Sequence, residues 1–174
     1  MTQEVPFTLV KKIDQIEIRK YPELILAVVE GSSDDSGFRL LFQYISGENR
    51  TRHRIAMTAP VITSEKIAMT APVITKKDYM AFALPSSYTK ETTPLPTNSA
   101  VEIEIQPEKE MAVSRFNGRT PHVRVEKFIQ HLITTLQNKN ISVIGEPVLM
   151  RYNSPFTPGF LRRNEVAVEI ENVP

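Results

Sequence analysis

A basic cluster at residues 50–54 has the clearest binding chemistry in the sequence. Arg50, Arg52, His53 and Arg54 follow one another with a single interruption. A guanidinium group can pair with both oxygens of a carboxylate, and a neutral imidazole is a common metal ligand. The cluster is therefore a candidate site for an acidic ligand, with His53 as a candidate metal ligand. A solvated basic turn is the more common structure for such a cluster, and a lone histidine is more often a surface residue.

Two methionines occupy equivalent places in an internal repeat. The sequence IAMTAPVIT occurs at 55–63 and again at 67–75, a period of 12 residues that places Met57 and Met69 in register. Side chains on a strand alternate between faces, so an even shift predicts neighbouring strands with the same face buried. Pro60 and Pro72 are expected at strand ends or bulges. A thioether can bind iron weakly, but it fills gaps in a core more often.

The segment at 151–168 combines aromatic and basic residues. Tyr152, Phe156 and Phe160 are its aromatic side chains, and Arg162 and Arg163 follow them directly. We expect either a surface that binds a ligand or a segment that wraps across a sheet with its arginines in water. Asn164 and Glu165 come next, and we expect them to have a structural hydrogen-bonding role.

The sequence contains no assembled set of catalytic residues. With six glycines it has no phosphate-binding glycine loop, and it lacks the HExxH and GxSxG motifs. The absence of cysteine excludes thiolate catalysis, disulfides, iron–sulfur clusters and cysteine-based zinc sites. His122 and His131 are nine residues apart on one predicted helix, the wrong spacing to share a metal. We therefore predict a binding protein that is not an enzyme.

The pattern of apolar residues predicts an α+β protein. Helices are expected at about 34–46 and from Thr120 to about Asn140, with Thr120 as the N-cap and Pro121 in the first turn. A long loop is expected at 85–99. The order of strand, helix, strand and strand occurs twice, which predicts one domain, 1–174, with approximate halves at 7–106 and 107–174. Strands are expected at 16–19 and 24–29, as a two-segment strand or hairpin, and at 79–84, 101–105, 111–116, 148–152 and 166–170.

Charge and composition exclude several classes of partner. The 174 residues include 21 Lys and Arg and 20 Asp and Glu, a net charge of +1. So small a net charge gives little long-range attraction for phosphate backbones or anionic lipid, and no nucleic-acid partner is predicted. No apolar run is long enough to span a membrane, and Thr2, Gln3 and Glu4 do not resemble a secretion signal. We expect a cytoplasmic protein; the sequence names no protein partner.

Several segments together resemble the SOUL haem-binding family. Their order and spacing cover nearly the whole chain, and the doubled repeat is typical of bacterial and archaeal-type members. The segments are IEIRKY at 16–21, YISGEN at 44–49, IAMTAPV at 55 and 67, MAFALPSSY at 80–88, PLP with VEIEI at 94–105, SRFNG at 114–118 and RYNSPFTPGFLRRNEVAV at 151–168.

The resemblance implies both a fold and a ligand. The implied fold is a distorted antiparallel eight-stranded β-barrel, built from two βαββ-like halves with two helices packed outside. The implied function is non-catalytic binding of haem or a related tetrapyrrole as a carrier, buffer or sensor. Because the fold is similar to gyrase-inhibitor-like domains, a module for another small amphiphile is the alternative. Some vertebrate members have a proposed histidine ligand where this chain has Lys20.

The same resemblance turns the residues above into candidate haem contacts. Arginines would bind the propionates, apolar side chains would face the macrocycle, and His53 would be the iron ligand. The candidate cofactor-binding residues are Arg50, Arg52, His53, Arg54, Met57, Met69, Tyr152, Phe156 and Phe160.

Overall fold

A computed structural model describes residues 2–32, 35–51, 64–154 and 156–171. Within them the helices are α1 (Asp35–Ser46), α2 (His122–Asn138) and a 3-10 turn at Gly159–Leu161. The strands are β1 (Gln3–Glu4), β2 (Thr8–Ile13), β3 (Ile16–Tyr21), β4 (Leu24–Glu30), β5 (Asn49–Arg50), β6 (Thr70–Ala71), β7 (Val73–Lys76), β8 (Tyr79–Ala83), β9 (Leu95–Pro96), β10 (Glu102–Gln106), β11 (Lys109–Asn117), β12 (Val148–Arg151) and β13 (Arg163–Glu169).

The chain divides into two compact units, and the first takes its residues from 1–5, 24–71 and 77–106. Its three main strands are antiparallel in the order β10, β4, β8. Helix α1 packs against β4 and β8, and its buried side chains include Leu41, Tyr44 and Ile45. Phe38 meets the ring of Phe82 edge-on, with 5.3 Å between the centroids. Two short pairs, β1 with β6 and β5 with β9, complete this unit.

The second unit takes its residues from 6–23, 72–76 and 107–174. Its six strands are antiparallel in the order β7, β12, β13, β11, β3, β2. Helix α2 packs on β11 and β13 through the apolar stripe that the sequence predicts, which includes Leu132 and Leu136. Phe116 of β11 stacks on Phe128 of α2 with 4.2 Å between the ring centroids.

The two faces of the sheet in the second unit differ in chemistry. Ile16 and Ile18 of β3 lie in the core beside α2. Because side chains alternate along a strand, Glu17, Arg19 and Tyr21 lie on the opposite face. Arg19 and Tyr21 are nevertheless buried. This second face is therefore the place where buried charge must find partners.

The α+β class with an antiparallel sheet and two helices is confirmed. The three main strands of the first unit and the six strands of the second are antiparallel within each unit. Both helices and all seven expected strand regions are present, but the 16–19 and 24–29 regions do not form a hairpin. Strand β3 pairs with β2 and β11, whereas β4 pairs with β8 and β10. Pro22, whose φ is fixed near −65°, cannot supply the positive φ that a tight hairpin requires. That residues 1–174 act as one domain stays a prediction.

The N-cap of α2 is Pro121, which makes no side-chain hydrogen bond to the helix. The prediction of Thr120 as the N-cap is wrong, because the first helical residue is His122 and Thr120 lies one position before the cap. The second repeat copy forms β6 and β7 with Pro72 at the break between them, as expected. The first copy, with Pro60, lies outside the described residues.

The loop at 85–99 is confirmed except for the short β9. In the described part of the chain neither helix has the length and hydropathy to cross a bilayer.

Candidate functional site

A buried carboxylate, Glu165 of β13, is the centre of the densest polar network in the second unit. Arg19 donates to both of its oxygens, from Nη1 at 2.7 Å and from Nη2 at 3.0 Å. The Tyr152 hydroxyl donates to Oε2 at 2.6 Å, and Nη2 of Arg163 donates to Oε1 at 3.1 Å. Four donors use the capacity of the carboxylate. The structural role expected for Glu165 is thus confirmed.

Arg19 extends this hydrogen-bond network from β13 to β3. Its Nε donates to Glu17 at 2.8 Å, and its Nη1 donates to the Tyr21 hydroxyl at 3.2 Å. The guanidinium also lies over the ring of Phe7, 4.1 Å from the centroid. The two arginines and two glutamates of the cluster balance in charge. This balance makes the burial of Arg19 and Glu165 tolerable, while Glu17 and Arg163 are partly exposed.

The network fixes the protonation of its members. Burial alone would raise the pKa of Glu165, but the hydrogen bonds from Arg19 and Tyr152 and the charge of Arg19 outweigh it, so this pKa lies below its usual value. Burial and the nearby Glu165 charge raise the pKa of Tyr152. Glu165 therefore stays ionised and Tyr152 stays protonated near neutral pH. A pair held this firmly is poorly suited to transfer protons, since a catalytic pKa lies near the working pH.

The aromatic residues predicted at 151–168 have two different environments. Tyr152 is half-buried, with its hydroxyl on Glu165 and with Cζ of Arg163 3.9 Å from its ring centroid. Phe156 and Phe160 are exposed. Asn164 donates from Nδ2 to the Gly118 carbonyl at 2.7 Å, the structural role that the sequence predicts. Tyr152 thus anchors the sheet, while the two phenylalanines face solvent.

The candidates near residue 50 belong to the first unit. Arg50 is exposed on β5, where it pairs with Leu95 of β9. Met69 is half-buried immediately before β6. The remaining candidates of this region lie outside the described residues; they are Arg52, His53, Arg54 and Met57.

Asn49, which the sequence reasoning missed, holds together the two ends of the chain segment that carries these candidates. Its buried Nδ2 donates to the carbonyls of Tyr44 at 2.8 Å and Glu65 at 2.9 Å. Its Oδ1 accepts the Glu65 amide at 3.1 Å. Both ends of 50–65 are therefore fixed at the end of α1. The signal was present in YISGEN, where asparagine follows the glycine that ends the helix.

Two exposed apolar side chains in the same unit were also missed. Phe42 of α1 is exposed and stacks on Phe38, 6.1 Å away. Leu95 is exposed beside Arg50, and the Tyr44 hydroxyl binds the neighbouring Pro94 carbonyl at 2.8 Å. The first unit thus presents apolar surface and a guanidinium group, which are the contacts that a macrocycle with propionates requires. Met69, half-buried in the same unit, has a thioether that could bind iron weakly.

Metal-ligating side chains are scattered in the part of the chain that the structure describes. No group of three His, Asp or Glu residues there is arranged to hold a metal ion. His122 is exposed and lies 3.7 Å from Glu126, and His131 is also exposed. Lys20, at the place of the vertebrate histidine, pairs with Glu108 at 2.8 Å.

Comparisons with known proteins agree with this architecture. The C-terminal domain of EcmrR has the same fold, with a TM-score of 0.60, 13% identity, and coverage of 91% of this chain and 98% of that chain. A hydrolase from Listeria innocua has a TM-score of 0.56 and 11% identity, covering 93% of this chain and 94% of that one. No curated protein sequence matches the chain. The family model described as SOUL heme-binding protein matches residues 2–169. The chain belongs to the SOUL haem-binding protein family.

Proposed function

We propose that the protein binds haem or a related tetrapyrrole in the cytoplasm as a carrier, buffer or sensor, without catalysing a reaction. The observation that carries this proposal is the family match over residues 2–169. The same match makes haem the first ligand to test.

The first unit has the side chains that such a ligand would use. Arg50 would pair with a propionate, and the exposed Phe42 and Leu95 would contact the macrocycle. Arg52 and Arg54 add guanidinium groups to the same segment of sequence. Tyr152 supports the proposal less well, because its hydroxyl and ring already contact Glu165 and Arg163. We therefore place the ligand in the first unit.

The non-catalytic part of the proposal is supported by the Glu165 network. Four hydrogen bonds leave this carboxylate without a lone pair to accept a proton from water or substrate. The hydrolase from Listeria innocua shares the fold at 11% identity, which does not transfer its chemistry.

A haem titration of the purified protein tests the proposal. Saturable binding at one haem per chain is expected, with a shifted Soret band. Replacing Arg50, Arg52 and Arg54 together with alanine should weaken the affinity at least tenfold, because charge-assisted pairs with the propionates are lost. The matched control replaces Arg115, Arg119 and Arg162 with alanine and should leave the affinity within a factor of two. Absence of saturable binding would overturn the proposal, and equal losses in both triple variants would move the site.

The second candidate is a module that binds another small amphiphilic anion. The exposed Phe42, and the exposed Leu95 beside Arg50, favour it, since these side chains suit a ligand with an apolar body and an acidic group but do not require iron. A thermal-shift screen that finds only ligands other than tetrapyrroles would support this candidate over the first.

A further inference from the structure

The second unit carries a cluster of strongly exposed apolar side chains. The segment 156–162, here called the aromatic strap, contains Phe156, Phe160 and Leu161, which are 95%, 77% and 60% exposed. Val123 in the first turn of α2 is 70% exposed. Single exposed apolar residues are common, but several together mark a surface that contacts something other than water.

The strap is an ordered turn. The amide of Leu161 donates to the Pro158 carbonyl at 2.9 Å, and Nε of Arg162 donates to the Thr157 carbonyl at 2.9 Å. The amide of Gly118 then donates to the Arg162 carbonyl at 2.8 Å. The fold therefore holds the two phenylalanines outward at low entropic cost.

The strap adjoins the start of α2 through the turn at 117–119. A Cβ atom placed on Gly159 would lie 2.7 Å from Nε of Arg119, so the strap backbone touches that side chain. Arg124 donates to the carbonyls of Arg119 at 3.0 Å and Asn117 at 2.7 Å. The exposed apolar side chains thus belong to segments that touch one another.

The charge of these segments has one sign. Residues 111–125 and 147–164 contain no Asp or Glu. Glu126, one position further along α2, lies 3.7 Å from His122. Within the two segments the arginines are Arg115, Arg119, Arg124, Arg151, Arg162 and Arg163. Arg163 pairs with Glu165, whereas the contacts above place Arg119, Arg124 and Arg162 in the strap and the turn beside it. The strap is therefore an apolar tip on a basic surface.

We propose that the aromatic strap docks the protein on a bilayer that contains anionic lipids. Phe156, Phe160 and Leu161 would insert at the level of the headgroups, while the neighbouring arginines would bind lipid phosphates. Exposed aromatic side chains flanked by basic ones are the pattern that peripheral membrane surfaces use. This inference depends on the strap alone and would hold if the protein bound no tetrapyrrole.

Two other partners fit the surface less well. A second copy of the chain, joined by a two-fold axis, would place basic surface against basic surface, which is repulsive. A protein partner would need a deep cavity for a side chain as exposed as Phe156, whereas a fluid bilayer interface accepts such a side chain without a shaped pocket.

The chain offers a direct reporter because it contains no tryptophan. In the full chain, Phe160→Trp introduces a single tryptophan at the strap, and Phe42→Trp introduces the matched tryptophan at an exposed phenylalanine of the other unit. With vesicles of phosphatidylglycerol and phosphatidylcholine, we expect a blue shift of the emission maximum for Phe160→Trp, because its indole would move from water to the bilayer interface. We expect no shift for Phe42→Trp, and no shift of either variant with phosphatidylcholine alone.

Co-sedimentation without any tetrapyrrole supplies the second readout. The double variant Phe156→Ser with Phe160→Ser should lose at least tenfold in binding to the anionic vesicles, and raised salt should weaken binding of the wild type. Phe42→Ser should bind as the wild type does, and circular dichroism should show that all variants are folded. Absence of vesicle binding, an unshifted Phe160→Trp, or equal binding of the double variant would overturn the proposal. So would equal binding to neutral vesicles, or a strap-dependent dimer seen by light scattering without vesicle binding.

Discussion

Glu165 shows how a single buried charge can organise one face of a sheet. Removing a carboxylate from water costs several kcal/mol, and this cost is recovered only when its partners have good geometry. Here Arg19 provides two parallel hydrogen bonds, and Tyr152 provides a third. The network joins β3 to β13, with β11 between them. The network contributes more to fixing this arrangement of strands than to the net free energy of folding.

Glu165→Gln is predicted to destabilise the protein by about 3 kcal/mol or more, because Arg19 is left buried with an incomplete partner. The matched control is Glu17→Gln, which removes a carboxylate from the same arginine. Its side chain is 28% exposed, so a loss of about 1 kcal/mol or less is expected. Urea unfolding of both variants measures the difference. Equal losses would show that burial of the carboxylate does not decide its importance.

The stability of the protein should fall more steeply in acid when Glu165 is present. Its folded pKa lies below the unfolded value of about 4.3, despite the opposing effect of burial. Such a group stabilises the fold fully above about pH 5, and this contribution is lost as the pH falls through the folded pKa. The gap between wild type and Glu165→Gln in the free energy of unfolding should therefore narrow from pH 5 to pH 3. A gap that widens would mean that burial dominates and raises this pKa.

At the scale of elements, the sequence predicted a helix most reliably where its apolar residues form a single stripe that packs on the core. Leu132 and Leu136 lie four residues apart on α2, and both are buried in the core. Strand β2 was missed because nearly all of its residues are exposed and show no alternation. The pairing of β3 with β11, about ninety residues away along the chain, was beyond prediction, since local periodicity does not name a partner strand.

The segment between α1 and β6 depends on one side chain. Asn49→Ala removes three hydrogen bonds that hold Glu65 to the end of α1, and about 2–3 kcal/mol should be lost at a net 1 kcal/mol each. The Glu65 amide, which donates a hydrogen bond to Asn49, should exchange its hydrogen with solvent faster in the variant than in the wild type. Asn98→Ala is the control, because its side chain accepts one amide at an exposed turn. Unchanged protection at Glu65 would contradict the assigned role.

At the scale of the whole molecule, the net charge of the chain does not reveal how its charges are distributed. The net charge of +1 argued against anionic lipid, yet residues 111–125 and 147–164, which include the strap, contain six arginines and no Asp or Glu. The sequence also did not reveal that each compact unit is assembled from separate chain segments, with residues 6–23 belonging to the same unit as residues 107–174. The hydrogen bond between Arg19 and Glu165 joins residues 146 positions apart. The sequence identified Tyr152 as a candidate binding residue, but it gave no indication that its hydroxyl contacts Glu165.

The most direct test of the central claim is a competition between haem and metal-free protoporphyrin for the purified protein. Binding that rests on propionate pairing and apolar contact should accept both macrocycles. Haem should then displace protoporphyrin, whose fluorescence reports the exchange, with one ligand per chain. Failure of both to bind saturably would contradict tetrapyrrole binding and leave the fold and family assignment unchanged.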